Sequence, residues 1–238
     1  MIHSDLQRLC AWSGIVAIVL FFAAFFIAHF VPPPGPYLTQ QEVVMMYQQN
    51  ATGIRIGMVC MMASTMFVSP VVAVISIQMK RMEGATPILA YTQMSTGTVG
   101  IVTLLIPPIM FLITAFRPDR APELTYLMND ICWFMTAIAW PPFVMQYITV
   151  AVAIFRDKRP QPLFPRWVGF FNIWIAVLFL PGGWLLAFFK SGPFAWNGIF
   201  TFWLPGGLFA IWFVVMLVAL LPAIKQQELE SVAEHHLK

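Results

Sequence analysis

The stretch LCAWSGIVAIVLFFAAFFIAHFV, residues 9–31, contains no Asp, Glu, Lys or Arg. A helix of 18 or more apolar residues spans a hydrocarbon core of about 30 Å at 1.5 Å per residue. The run is too long for the apolar part of a secretory leader, and no small-residue cleavage pattern follows His29-Phe30-Val31, so it reads as a retained anchor. Five further runs follow, at about 54–79, 88–116, 124–155, 166–189 and 198–224. None shows the alternation of a membrane β-barrel strand. The expected fold class is all-α: a polytopic membrane helix bundle, six transmembrane helices in one transmembrane domain over 1–238, with a polar tail at 225–238.

The composition points the same way. Of 238 residues, 60% are hydrophobic and 10% charged, and the mean hydropathy is +0.79. A soluble domain covers its surface with roughly a quarter charged residues, and this chain lacks them. The net charge of +3 is too small and scattered to form the basic stripe that nucleic acid requires. The first partner expected is the lipid bilayer.

Lys and Arg near the helix ends set the orientation. An N-terminus in the cytoplasm puts Arg8, Lys80, Arg81, Arg156, Lys158, Arg159, Arg166, Lys225 and Lys238 inside and Arg55, Arg117, Arg120 and Lys190 outside. Both termini are therefore expected to be cytoplasmic, in a plasma membrane or bacterial inner membrane. Trp12 and Trp167 fall near the inner boundary; Trp133, Trp196, Tyr37, Tyr47 and Tyr126 fall near the outer one, as an aromatic belt would.

The first outer loop opens with Pro32-Pro33-Pro34-Gly35-Pro36, which cannot be helical. Thr39-Gln40-Gln41-Glu42 then has the form of a capping box, predicting a short amphipathic helix at the outer interface. Prolines at Ser69-Pro70, Pro107-Pro108, Trp140-Pro141-Pro142, Leu180-Pro181-Gly182-Gly183 and Leu204-Pro205-Gly206-Gly207 interrupt the runs. Each removes a backbone donor and predicts a kink. Bent helices that splay toward the outer leaflet enclose a cavity; proline that serves only local packing does not. The repeated Leu-Pro-Gly-Gly raises the further possibility of an inverted repeat. Gly53-xxx-Gly57 and Gly97-xx-Gly100 allow close helix approach.

Asp130 is the only acid inside an apolar run, and an intramembrane carboxylate marks either function or a structural pairing. Its rival role is structural, with Asn129 or Asp130 capping a helix that begins at 131. Arg55 is a candidate partner on the same side. The expected ligand site comprises Asp130, Arg55 and Asn129 at the ligand's polar end, walled by Trp133, Trp140, Trp184 and Trp203.

Catalysis finds little footing. His3, His29, His235 and His236 cannot supply the membrane-proximal clusters of haem, zinc or di-iron centres. A two-aspartate protease lacks its second acid, and Cys10, Cys60 and Cys132 form no Cys-x-x-Cys pair. No catalytic residue, metal ligand or cofactor is assigned. Met58, Met62 and Met66 recur at i, i+4 and i+8. That spacing resembles the Met-x-x-x-Met motif of copper-transport trimers, whose three-span architecture this chain does not share. The resemblance implies copper handling as a minor alternative, because soft thioethers select Cu(I). The leading expectation is an integral membrane protein that binds or moves a small, largely apolar or zwitterionic ligand through an outward-facing pocket. The competing class is a non-catalytic subunit packing against a membrane partner or further copies of itself.

Overall fold

The protein is described by a computed structural model over residues 4–236, with side chains through Ala233. His3, Lys238 and the side chains of His235 and His236 lie outside the described residues. The helices are α1 Ser4–Ile27, α2 Gln40–Met66, α3 Val68–Glu83, α4 Ile88–Phe116, α5 Pro122–Ala137, α6 Trp140–Arg156, α7 Arg166–Leu185 and α8 Leu204–His236. A 3-10 turn, Leu186–Phe188, follows α7, and a π turn, Ile199–Trp203, leads into α8. No strand occurs among the described residues. With α2–α3 and α5–α6 each counted as one crossing, six helices are long and apolar enough to span a membrane.

Proline explains why two crossings are divided. Pro70 cannot donate to the carbonyl four residues earlier, that of Met66. The helix stops there, and α3 restarts at Val68 with Pro70 in its first turn, where the missing donor costs nothing. The Ser13 hydroxyl of α1 lies 2.8 Å from the Phe67 carbonyl oxygen and 2.7 Å from that of Cys10, so one proton serves both acceptors. Ser13→Ala should therefore cost about 1 kcal/mol, the usual net value of one such bond. Thermal melting in detergent checks this, and an unchanged midpoint would show that the Phe67 carbonyl does not need the hydroxyl.

Pro141 and Pro142 act in the same way in the first turn of α6, and α5 ends with the Ile138 N–H donating to the Phe134 carbonyl at 2.8 Å. The break thus falls at Ile138–Ala139 and not at Asn129–Asp130. Both of those residues are interior to a continuous α5, so neither caps a helix. By contrast, α4 continues through Pro107 and Pro108, and α7 through Pro181.

The segment after the proline-rich loop carries the expected capping box. The Thr39 N–H donates to Glu42 Oε2 at 2.7 Å, and the Glu42 N–H donates to Thr39 Oγ1 at 3.4 Å. Residues 40–49 form a helical segment of their own, joined to the membrane-crossing part of α2 across a kink at Asn50 (φ −122°, ψ 23°). Val43 and Tyr47 from this part pack into the bundle. Tyr47, expected in the interfacial belt, is fully buried.

At the end of α1, His29 adopts φ 55° while the Phe30 N–H reaches the Phe25 carbonyl at 2.8 Å and the His29 N–H reaches Phe26 at 3.0 Å. This is a Schellman ending, with Phe30 buried beneath it. It lets α2 press close: a Cβ on Gly57 would sit 2.5 Å from the Ala24 carbonyl oxygen.

Two apolar cores result. One joins the end of α1, α2, the end of α4, α5 and Trp196 of the 189–198 loop. The other joins α3, α6, α7 and α8 with the start of α1. At the end of the bundle carrying both chain ends, the polar extension of α8 is tied down. Arg8 pairs with Glu228 at 2.7 Å, and Arg81 and Arg159 both pair with Glu230 at 2.7 Å. Gln78 donates to Gln227 at 2.9 Å and to Gln7 at 2.8 Å. Within the described residues the polar tail continues α8 through His236 and is tied to α1, α3 and the loop after α6.

Candidate ligand cavity

Between the two cores lies a cavity of about 300 Å³. Its position follows from the interruptions just described. The gap between α5 and α6 contributes Ala137, Ala139 and Trp140, and the π turn and start of α8 contribute Thr201, Phe202, Trp203, Gly206 and Gly207. Across from these stand Phe21, Phe22, Phe25 and Phe26 of α1, Met61 of α2, Thr103 and Pro107 of α4, Trp133 of α5 and Phe179 of α7. Trp196, in the 189–198 loop between the 3-10 turn and the π turn, also lines the cavity, and its Nε1–H donates to the Pro34 carbonyl at 2.8 Å, tying the proline-rich loop to it.

No Asp, Glu, Lys, Arg or His is among the lining residues. The three lining hydroxyls all donate to backbone carbonyls: Thr103 to Gly100 and Thr136 to Cys132, each at 2.8 Å, and Thr201 to Phe194 at 3.1 Å. Pro107 and Pro108 withhold helical donors from the carbonyls of Thr103 and Leu104, both lining residues. Trp133 is 1% exposed, and its Nε1 has no hydrogen-bond partner. The rings packed on it are Phe30, Phe111 and Phe202, at centroid distances of 5.2, 5.3 and 6.3 Å, and none of them carries an acceptor.

Of the residues singled out from sequence, Trp133, Trp140 and Trp203 border the cavity. Trp184 packs edge-on against Trp140 at 5.9 Å but is itself 61% exposed on the lipid-facing surface. Asn129 is buried and accepts a long hydrogen bond of 3.4 Å from the Tyr47 hydroxyl. Arg55 donates to the Ala51 carbonyl at 3.2 Å, and Asp130 is half-buried within α5. Among the described residues no ion pair joins Arg55 to Asp130, and Arg55, Asn129, Asp130 and Trp184 are absent from the lining.

The methionine series runs from the core to the surface: Met58 is buried and Met66 is 71% exposed, while the methionine that reaches the cavity is Met61. No cluster of three His, Cys, Asp or Glu side chains suited to a metal occurs among the described residues.

The residues missed from sequence are the α1 phenylalanines, Met61, Phe202 and the glycine pair 206–207. Phe21 and Phe25, one turn apart, were a visible signal, as were Phe22 and Phe26. An aromatic stripe reads the same whether it faces lipid or a hollow.

Six apolar crossings around an aromatic cavity define an integral membrane protein of the helix-bundle class. Comparisons with protein-family models, curated proteins and solved structures find no match to this chain.

Proposed function

We propose that this protein binds a small, largely apolar molecule within the membrane, in the cavity between its two cores, for transport or sensing of that molecule. The observation that carries the reading is a charge-free aromatic cavity whose wall extends to lipid-facing side chains. Phe26 and Trp203 line it and are 63% and 45% exposed. A solute dissolved in the bilayer can therefore enter sideways, between α1 and the start of α8. Binding pockets have this make-up, mostly hydrophobic and aromatic with few polar groups. Ligand contact falls to Trp133, Trp140 and Trp203. Arg55, Asn129, Asp130 and Trp184 are not assigned to it.

The orientation belongs to the same proposal. Arg8, Lys80, Arg81, Arg156, Lys158 and Arg159 gather at the end that carries both termini, which supports a cytoplasmic location for that end. The cavity then opens in the outer half of a plasma or bacterial inner membrane.

Naphthalene is a suitable probe. It should raise the melting midpoint of the wild-type protein in detergent and leave Gly207→Leu unmoved. Gly207 borders the cavity and a Cβ there meets no heavy atom within 4 Å, so a leucine adds bulk at the cavity's open edge without clashing with the protein. If naphthalene leaves the wild-type midpoint unchanged, or shifts both proteins alike, the cavity is not a binding site.

A further inference from the structure

The end of the bundle that carries both termini holds a second hollow, which shares no lining residue with the aromatic cavity and whose role does not rest on it. We infer that this hollow binds the phosphate headgroup of an anionic phospholipid in the adjacent leaflet. The end of α3 supplies Glu83, the turn before α4 supplies Thr86, and the end of α6 with its following loop supplies Arg156, Lys158 and Arg159. Its volume is about 450 Å³, whereas one water needs roughly 10–15 Å³, so a hydrated headgroup fits. Thr86, Arg156 and Lys158 are exposed, so a headgroup reaches them without any opening of the fold.

Charge decides the class of ligand. Three cations meet one acid in the lining, and that acid is already engaged. The two Glu83 carboxylate oxygens accept the Leu89 and Ala90 N–H groups at 2.8 and 2.7 Å, at the start of α4. Arg159 donates to Glu230 at 2.7 Å. Asp157, buried between two of the cations in sequence, accepts the Arg159 and Leu163 N–H groups at 3.1 and 3.0 Å, which fixes the loop that carries them. Arg156 and Lys158 are left without an acid partner among the described residues, whereas Arg8 and Arg81 at the same end are matched by Glu228 and Glu230. Two uncompensated cations beside a free hydroxyl suit a phosphate, which accepts hydrogen bonds and carries the missing charge.

Position decides its source. The hollow lies where two crossings end, Gln40–Glu83 and Pro122–Arg156, and basic pockets between membrane helices at this level hold anionic headgroups. Exposed apolar side chains adjoin it. Ile88 follows Thr86 by two residues, and the exposed Phe170 ring packs at 4.9 Å on that of Phe155, the neighbour of Arg156. A phospholipid seated on the cations lays its acyl chains against this surface. A soluble phosphate gains nothing from it.

Three additives to the full-length protein in dodecyl maltoside test this: dioleoyl phosphatidylglycerol, dioleoyl phosphatidylcholine and glycerol 1-phosphate. By native mass spectrometry, phosphatidylglycerol should bind about thirtyfold more tightly than phosphatidylcholine, whose phosphate is already neutralised, or about fivefold for each unpaired cation. It should also raise the melting midpoint, and glycerol 1-phosphate at the same concentration should not. Arg156→Gln with Lys158→Gln should abolish most of the preference between the two lipids. Arg166→Gln with Lys225→Gln removes equal charge from exposed positions at the same end that line neither hollow, and should preserve it. Equal losses in the two double variants would reveal a diffuse surface charge, and equal affinity of the wild-type protein for both lipids would show that headgroup charge is not read; either result overturns the inference. Stabilisation by glycerol 1-phosphate as large as that by phosphatidylglycerol would mean that the hollow takes a soluble anion, which overturns the lipid assignment.

Discussion

Gly182→Ala is expected to destabilise the protein by about 3 kcal/mol, at the upper end of overpacking costs, whereas Gly206→Ala should be neutral or stabilising by up to about 1 kcal/mol, the helix-propensity gap between the two residues. The two glycines hold the same place in identical tetrapeptides, Leu180-Pro181-Gly182-Gly183 and Leu204-Pro205-Gly206-Gly207. Their surroundings are opposite. A Cβ on Gly182 would lie 2.0 Å from the Phe200 carbonyl oxygen and 2.9 Å from the Thr201 Cα, both backbone atoms of the π turn that cannot swing aside. A Cβ on Gly206 would meet only the Phe22 ring, at 4.0 Å, an ordinary contact. The second glycines repeat the contrast: Gly183 is pressed on the Trp140 ring, and Gly207 borders open space. Both glycines of the first tetrapeptide are pressed on neighbouring atoms, whereas both of the second border the cavity without close contact. Because Gly182 sets the position of Thr201, Phe202 and Trp203, its alanine variant should also lose naphthalene binding if it folds. Melting midpoints of the two variants in the same detergent decide the matter, and equal shifts would show that the close approach of α7 to the π turn is not formed.

The six crossings were readable because each run sustains the absence of charge for longer than any soluble helix needs to. The divisions at Phe67 and Ile138–Ala139 were readable only as prolines. Pro70, Pro141 and Pro142 end up in first turns, where they start a helix, while Pro107, Pro108 and Pro181 sit inside continuous ones. Sequence alone cannot separate these outcomes, since they depend on whether a neighbour such as Ser13 can serve the freed carbonyl.

The cavity was harder to read, and the cause lies in the solvent. In water the apolar face of a helix marks the core; in lipid both faces are apolar. Trp133 and Trp196 were therefore placed in an interfacial belt with Trp12 and Trp167, although the first two are 1% and 5% exposed and the last two about half exposed. Asp130 drew attention as the lone intramembrane acid, yet it stands outside the lining. The uncharged polar residues were the better guide to the inward faces: Ser76, Gln93 and Asn172 are completely buried and Gln146 nearly so. In lipid a polar side chain must find a partner inside the protein, so its position on the helix points inward where leucine or phenylalanine is silent.

Asn172 is the sharpest example, and its removal should be costly. Its Nδ2 donates to the Val168 carbonyl at 2.8 Å, and its Oδ1 accepts the Trp212 Nε1–H at 2.9 Å, joining α7 to α8. Asn172→Ala deletes the acceptor and leaves both a small void and an orphaned indole N–H in a region without water. An unsatisfied buried donor alone costs about 1–3 kcal/mol, so a total of about 3 kcal/mol is expected for the variant. The interaction itself is worth less, because interhelical hydrogen bonds in membrane proteins average about 0.6 and reach about 1.7 kcal/mol in double-mutant cycles. A cycle of Asn172→Ala and Trp212→Phe should return a coupling in that range, well below the cost of Asn172→Ala alone. The same bond bears on the ligand. Phe179 lies two turns beyond Asn172 on α7, Phe209 lies about one turn before Trp212 on α8, and both line the cavity. Loosening α7 from α8 should thus weaken naphthalene binding. A coupling near zero, or a naphthalene affinity untouched in Asn172→Ala, would mean that the two helices are held around the cavity by packing alone and that this buried amide only satisfies itself.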